Sequence, residues 1–239
     1  MSRQHWEDQA TNWAAWARRP GFDAYWRYSG AFFELVPLPT GRTLEVGCGE
    51  GRVSRDLAAR GHHVTAIDAS PTLVRLAHDA DQRSSYLQSD AAALPFPNGT
   101  FDLIVFYNSL MDVDDMEASL CEAARVLRNG GALCACVTHP TTDAGHFASR
   151  DPDSPFLIEG TYLGERRWTD LEEERDGLRM HFKGWAYSLQ AYFSALQTAG
   201  FMVQALVEPK MPFDAVDRGP ADARWRRIPI FLMWRAVKT

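Results

Sequence analysis

Residues 44–52, LEVGCGEGR, constrain this chain more than any other stretch. Gly47, Gly49 and Gly51 stand at alternate positions after Thr43-Leu44-Glu45-Val46, an apolar run that holds one acid. A helix-like segment, residues 53–60, follows and stops at Gly61. Glycine is used where backbone must take φ > 0 or let a ligand approach closely. The order predicts a buried strand, a tight glycine turn and a helix N-terminus whose unpaired N–H groups face whatever binds there. A dinucleotide fingerprint is spaced G-x-G-x-x-G. Counted from Gly47, its third glycine would fall on Arg52, which disfavours an NAD-dependent dehydrogenase.

Strand and helix signals alternate downstream. Residues 63–68 form a second apolar run, as buried parallel strands do. Ser70-Pro71 supplies an N-cap and a proline at the first helical position. Residues 86–88 read as a short third strand and 101–106 as a fourth, with the Asn98-Gly99 turn between. A helix over 116–127, closed by Asn129-Gly130-Gly131, leads to a fifth strand over 132–137. Residues 178–182 read as a strand, 188–198 as a helix, and 201–207 and 228–237 as a final antiparallel pair. Such alternation implies a mostly parallel sheet with right-handed crossovers and helices on both faces. Ligands bind beyond the carboxyl ends of such strands, so the residues following Val46, Ile67, Gln88, Phe106 and Val137 matter most.

Two strand ends carry an acid. Asp68, 17 residues past Gly51, can accept ribose hydroxyls; the plainer role is an acid in a turn before a helix. Asp90, followed by Ala91, Ala92 and Leu94, suits the edge of an adenine or serves as a helix cap.

These motifs, in order over about residues 40–140, resemble the class I S-adenosylmethionine-dependent methyltransferases of small-molecule type. Residues 45–51 resemble motif I, Ile67-Asp68-Ala69-Ser70 the acidic loop, and 89–97 the adenine-side motif. Residues 101–106 with 108–115 resemble the fourth-strand motif, and 124–132 the helix and turn before strand five. Ala199-Gly200-Phe201 is a weaker echo. The resemblance implies a Rossmann-like α/β fold: a seven-stranded, mostly parallel sheet, helices on both faces, an antiparallel last pair and an N-terminal helical lid. It implies S-adenosyl-L-methionine as cofactor, S-adenosyl-L-homocysteine as product, and no metal. Cofactor contacts are expected from Glu45, Gly47, Cys48, Gly49, Gly51, Asp68, Ala69, Ser70, Asp90, Ala91, Asn108 and Met111. Many relatives carry a His-His pair after strand four; Met111-Asp112 stands there instead.

In-line methyl transfer depends mostly on positioning, but a hydroxyl or ammonium acceptor also needs a base. His139, directly after strand five, is the first candidate, since histidine titrates near neutrality. Asp112 is the alternative and His181 a weaker one. Tyr25, Tyr28, Tyr107, His139, Phe147, Tyr162 and Trp185 are the expected substrate walls.

At 239 residues the chain reads as one domain: a helical lid over 1–36, a cofactor-binding core over 37–140, a substrate-side insert over 141–185 and the rest of the sheet over 186–239. The lid region holds two helices broken at Arg19-Pro20-Gly21, and Trp6, Trp13 and Trp16 share one helical face. That face serves core packing, a pocket wall, or both. Residues 140–178 lack periodicity and read as a long irregular insert, functional or mobile.

The net charge of −6 argues against a general nucleic-acid partner. Arg224, Arg226 and Arg227 around Trp225 could contact phosphate in a macromolecule methyltransferase; the plainer reading is a solvated loop before the last strand. Cys48, Cys121, Cys134 and Cys136 show neither CxxC nor metal spacing; Cys134 and Cys136 share one face of a strand, so buried thiols and not a disulfide are expected there, in a reducing, cytoplasmic setting. No signal pattern or run of roughly 18 apolar residues points to a membrane. The expected function is methyl transfer to O or N of a small organic molecule, as in secondary metabolism, by a monomer or homodimer. The alternatives are an RNA or protein methyltransferase, or a non-methylating S-adenosylmethionine-binding protein on the same fold.

Overall fold

The computed structural model describes residues 2–163, 167–211 and 220–239. Helices α1 (Ser2–Ala17) and α2 (Tyr25–Leu35) precede the sheet. The core then alternates: β1 (Arg42–Val46), α3 (Arg52–Ala59), β2 (His63–Asp68), α4 (Pro71–Ala80), β3 (Ser85–Gln88), β4 (Phe101–Tyr107), α5 (Met116–Val126) and β5 (Leu127–Thr138). The insert holds α6 (Pro140–Asp143), β6 (Gly145–Phe147), β7 (Phe156–Ile158), β8 (Arg167–Arg175) and β9 (Leu178–Ala186). Helix α7 (Leu189–Thr198), β10 (Phe201–Val207), a 3-10 turn over Pro220–Arg226 and β11 (Phe231–Lys238) complete the chain.

Seven strands form one sheet in the order β10-β11-β5-β4-β1-β2-β3. Pairings among β1, β2, β3, β4 and β5 are parallel. β11 runs antiparallel to both β5 and β10, the expected last pair. One face of the sheet is covered by side chains of α5 and α7, with Leu120, Tyr192 and Trp234 fully buried. The other is covered by α2 and α3, with Phe32 and Leu57 inaccessible. Leu44, Ile104 and Val137, from three central strands, lie in the first cluster, which places the core between sheet and helices as burial on both faces requires.

The sequence expectations need correction at two places. Strand β5 starts at Leu127, not 132: Leu127 pairs with Phe101, and the register then slips so that Ala132 meets Leu103. Asn129-Gly130-Gly131 sits inside this irregularity, with Gly130 at φ +73°, and so interrupts the ladder instead of preceding it. The insert is not irregular. β6 pairs with β7, and β8 pairs with β9 over nine positions from Arg167↔Ala186 to Arg175↔Leu178. Asp176 and Gly177 close that hairpin at φ +47° and +76°, a two-residue turn for which Asp-Gly is the strongest local signal. The acidic run in β8 has poor strand propensity, which hid it.

Candidate functional site

The glycine loop is built from the strand ends outward. Gly47 N and Cys48 N both donate to Ile67 O, at 2.8 and 2.9 Å, folding the loop over the end of β2. Gly49 N donates to Asp68 Oδ2 at 2.8 Å, and Ser70 N donates to Oδ1 at 2.9 Å. The Asp68 carboxylate therefore braces the loop against α4, yet each oxygen keeps a lone pair for another donor. Gly47 and Gly49 take φ +76° and +54°. A Cβ on Gly47 would lie 2.4 Å from Ser109 Cβ, and one on Gly49 2.9 Å from Trp13 Nε1. Conformation and close approach both demand glycine here. Glu45 is 1% exposed and accepts from Ser54 Oγ; burial pushes its carboxyl up to about 8.

This loop forms one wall of a cavity of about 850 Å³ at the carboxyl ends of β1, β2, β4 and β5. Among the expected cofactor residues, Glu45, Gly47, Cys48, Gly49, Asp68, Ala69, Asp90, Ala91, Asn108 and Met111 line it. Gly51 and Ser70 do not. Gly51, at φ +84°, is the N-cap of α3. Ser70 caps α4, its Oγ accepting from Leu73 N at 3.0 Å and donating to Glu7 at 2.5 Å. Asp90 Oδ1 accepts from Ala92 N at 2.9 Å, so it shapes its own turn and still faces the cavity.

Tyr25, Tyr107, Phe147 and Trp185 line the cavity, as expected of substrate walls. Tyr28 is instead buried in the core, edge-on to Phe231 at 5.3 Å. Tyr162 does not line the cavity, and its hydroxyl accepts from Leu189 N at 3.3 Å.

The base candidates separate clearly. His139 is not a lining residue. It is 4% exposed, its Nδ1 accepts from Thr141 N at 3.1 Å, and its Nε2 meets Glu208 Oε1 at 2.9 Å. Burial lowers its pKa, and Glu208 opposes that shift. The ring caps α6 and points to Glu208. His181 pairs with Asp170 and also lies outside the lining. Asp112 does line the cavity, on the loop after β4. Burial, then the charges of Asp68 and Asp143, hold its carboxyl well above the usual range. Trp185 N donates to Met111 O at 2.9 Å, tying this loop to β9.

Helix α1 lies across the site. Glu7 accepts from Ser70 Oγ and Thr72 Oγ1, at 2.5 and 2.6 Å, at the start of α4. Arg18 Nε donates to Glu50 at 2.7 Å, within the glycine loop. Arg52 pairs with Asp23 at 2.6 Å and stacks 4.2 Å above Tyr25. Trp13 and Trp16 meet Phe182 of β9 edge-on at 6.3 and 6.0 Å. Trp6, Trp13, Trp16, Phe182, Arg224 and Trp225 line the cavity although the substrate-wall expectations omit them. The seven- and three-residue spacing of the tryptophans was the available signal for three of these. Among the described residues, no group of three or more His, Cys, Asp or Glu could hold a metal ion, and no helix is long and apolar enough to cross a membrane.

Residues 44–135 match the profile of the family described as "Methyltransferase domain". The chain is 35% identical over 122 residues to a demethylmenaquinone methyltransferase of Tropheryma whipplei, covering 49% of this chain and 50% of that one. It is 36% identical over 117 residues to a ubiquinone biosynthesis O-methyltransferase of Xylella fastidiosa, covering 46% of each. The chain thus spans about half the length of the curated relatives it matches. In fold it is similar to a crystal structure of an S-adenosylmethionine-dependent methyltransferase from Mesorhizobium loti, with TM-score 0.73, 22% identity and coverage of 90% of this chain and 98% of that one. The matched residues are those that build the glycine loop, Asp68, Asp90 and the loop after β4, so this stretch of the chain matches a methyltransferase domain and the chain shares the fold of an S-adenosylmethionine-dependent methyltransferase.

Proposed function

We propose that this protein transfers a methyl group from S-adenosylmethionine to an oxygen or nitrogen of a small organic acceptor, of the kind found in secondary metabolism. The observation that carries this is one cavity of about 850 Å³ joining the Asp68-braced glycine loop to an aromatic wall. That volume is in the range of small-molecule sites. The donor set fits the cofactor: a carboxylate with open lone pairs at the end of β2, a second acid at the end of β3, and the glycine loop lining the cavity beside them. Asp68 would hold the ribose, Asp90 and Ala91 the adenine, and Gly47 and Gly49 the amino-acid end. When bound, S-adenosylmethionine supplies a methyl group activated by its sulfonium.

The chain's own part is positioning and proton removal. Holding two reacting groups in line supplies several kcal/mol. Helix α1 acts as the lid that excludes water, with α2 packed on the sheet, and Tyr107, Phe147 and Trp185 orient a flat acceptor. Asp112 takes the proton released by a hydroxyl or ammonium acceptor, because it faces the cavity while His139 faces Glu208. Roofing of the cavity by Trp6, Trp13 and Phe182 favours a small acceptor over a macromolecule.

The test is turnover of a small-acceptor panel, read as S-adenosylhomocysteine formed. Asp112→Asn should lower kcat roughly 100-fold or more on a hydroxyl acceptor, the ordinary scale of general-base loss, with cofactor affinity retained. Equal kcat in both proteins would remove Asp112 from the mechanism. Cofactor binding without transfer to any acceptor would favour a non-methylating role.

A further inference from the structure

We infer that Arg224 is an anion anchor, the group that receives the carboxylate of an aromatic acid bound as acceptor in this cavity. This rests on the methyl-transfer role proposed above. Arg224 lies in the 3-10 turn before β11 and lines the cavity. Its Nη1 donates to Ser149 O at 3.1 Å, while its Nε is buried without a hydrogen-bond partner. Among the described residues no carboxylate pairs with it. Of the four other lining Arg and Lys residues, Arg52 pairs with Asp23, Arg175 with Glu173 and Lys183 with Asp170, and Arg3 is solvent-exposed at the start of α1.

The guanidinium is held in place before any ligand arrives. It sits 5.3 Å from the Phe147 ring centroid and 6.0 Å from that of Trp225, and the two rings meet edge to face at 4.9 Å. A buried donor left unmade is unfavourable until a ligand supplies the acceptor. Arginine offers that donor as part of a planar fork that matches a carboxylate. The flanking rings favour a flat apolar body behind it.

Location assigns the anchor to the acceptor and not to the cofactor. β1, β4, β5 and β11 are successive neighbours in the sheet. The glycine loop follows β1 and Arg224 precedes β11, so their strands lie three spacings, roughly 14 Å, apart. The carboxylates Asp68 and Asp90 face the cavity from the ends of β2 and β3. They disfavour an anion at the cofactor end, while at the other end Arg224 offers a buried Nε without a partner. The acceptor class is therefore a planar aromatic acid whose hydroxyl or amine lies away from its carboxylate.

The experiment titrates 1-naphthoate and its neutral isostere 1-naphthamide into the full-length protein, with and without saturating S-adenosylhomocysteine, following tryptophan fluorescence. Wild type should bind the naphthoate at least 10-fold more tightly, the scale of one charge-assisted bond. Arg224→Gln should abolish that preference, and Arg224→Lys should keep part of it, as a point charge without the fork. The melting temperature and S-adenosylhomocysteine affinity of each variant report folding. Equal affinity of wild type for both probes, failure to bind either, or an unchanged preference in Arg224→Gln overturns the anchor. Failure of wild type to bind S-adenosylhomocysteine overturns the cofactor assignment instead, because the two probes are compared without it as well.

Discussion

Replacing Asp68 by Asn separates its two tasks. Each carboxylate oxygen accepts one backbone N–H, Gly49 N at 2.8 Å and Ser70 N at 2.9 Å. Whichever way the amide turns, its NH2 therefore faces a backbone donor. One buried N–H loses its acceptor, which costs about 1–3 kcal/mol of stability with or without cofactor. For a chain of this size that is roughly 2–12 °C in Tm. Under the proposed role the ribose would lose at least one bond to a charged acceptor, about 1.5–3 kcal/mol, which should raise the Kd for S-adenosylhomocysteine roughly 10- to 150-fold. Calorimetric titration reads the affinity and a thermal melt reads the brace. A lowered Tm with a Kd within about threefold of wild type would show that Asp68 only holds the loop, and the ribose assignment would fail.

Three further outcomes follow from the same geometry. Glu45→Gln should flatten the pH dependence of stability: the folded carboxyl is raised from 4.5 to about 8, so its stabilising share is full below pH 4.5 and is lost as pH rises towards 8. The interval corresponds to at most about 5 kcal/mol, and urea midpoints at pH 5 and pH 8.5 that shift in parallel for variant and wild type would contradict it. Glu7→Gln weakens the bonds from Ser70 and Thr72 that hold α1 over the site, so S-adenosylhomocysteine should dissociate several-fold faster in stopped flow; an unchanged rate argues against α1 as a lid. His139→Gln should leave kcat within about twofold between pH 6 and 9 while lowering Tm, because its ring is committed to Glu208 and Thr141; a steep fall in kcat would restore it as the base.

The glycine loop, Asp68 and the Ser70-Pro71 helix start were legible because each rests on local chemistry: a φ that only glycine takes cheaply, an acid at a strand end, and a hydroxyl before an N1 proline. Chain neighbours alone specify them. The direction of His139 was not legible, for the opposite reason. Its position after β5 is correct, but its direction is set by Glu208, 69 residues away. Tyr28 and Tyr25 look alike in sequence, and the helical phase of α2 sends one into the core and leaves the other on the cavity. Arg224 read as a solvated loop residue because nothing local reveals Phe147 and Ser149 beside it. The start of β9 was legible as a strand, and its partner β8 was readable from the Asp176-Gly177 turn, had that turn outweighed the acidic run before it.

A crystal of the full chain grown or soaked with S-adenosylhomocysteine tests the central claim most directly. The account predicts the ribose hydroxyls within hydrogen-bond distance of Asp68, the adenine beside Asp90 and Ala91, and the thioether sulfur facing the part of the cavity lined by Asp112 and Trp185. Density for the nucleoside elsewhere, or no density at millimolar ligand with the cavity open to solvent, would contradict it.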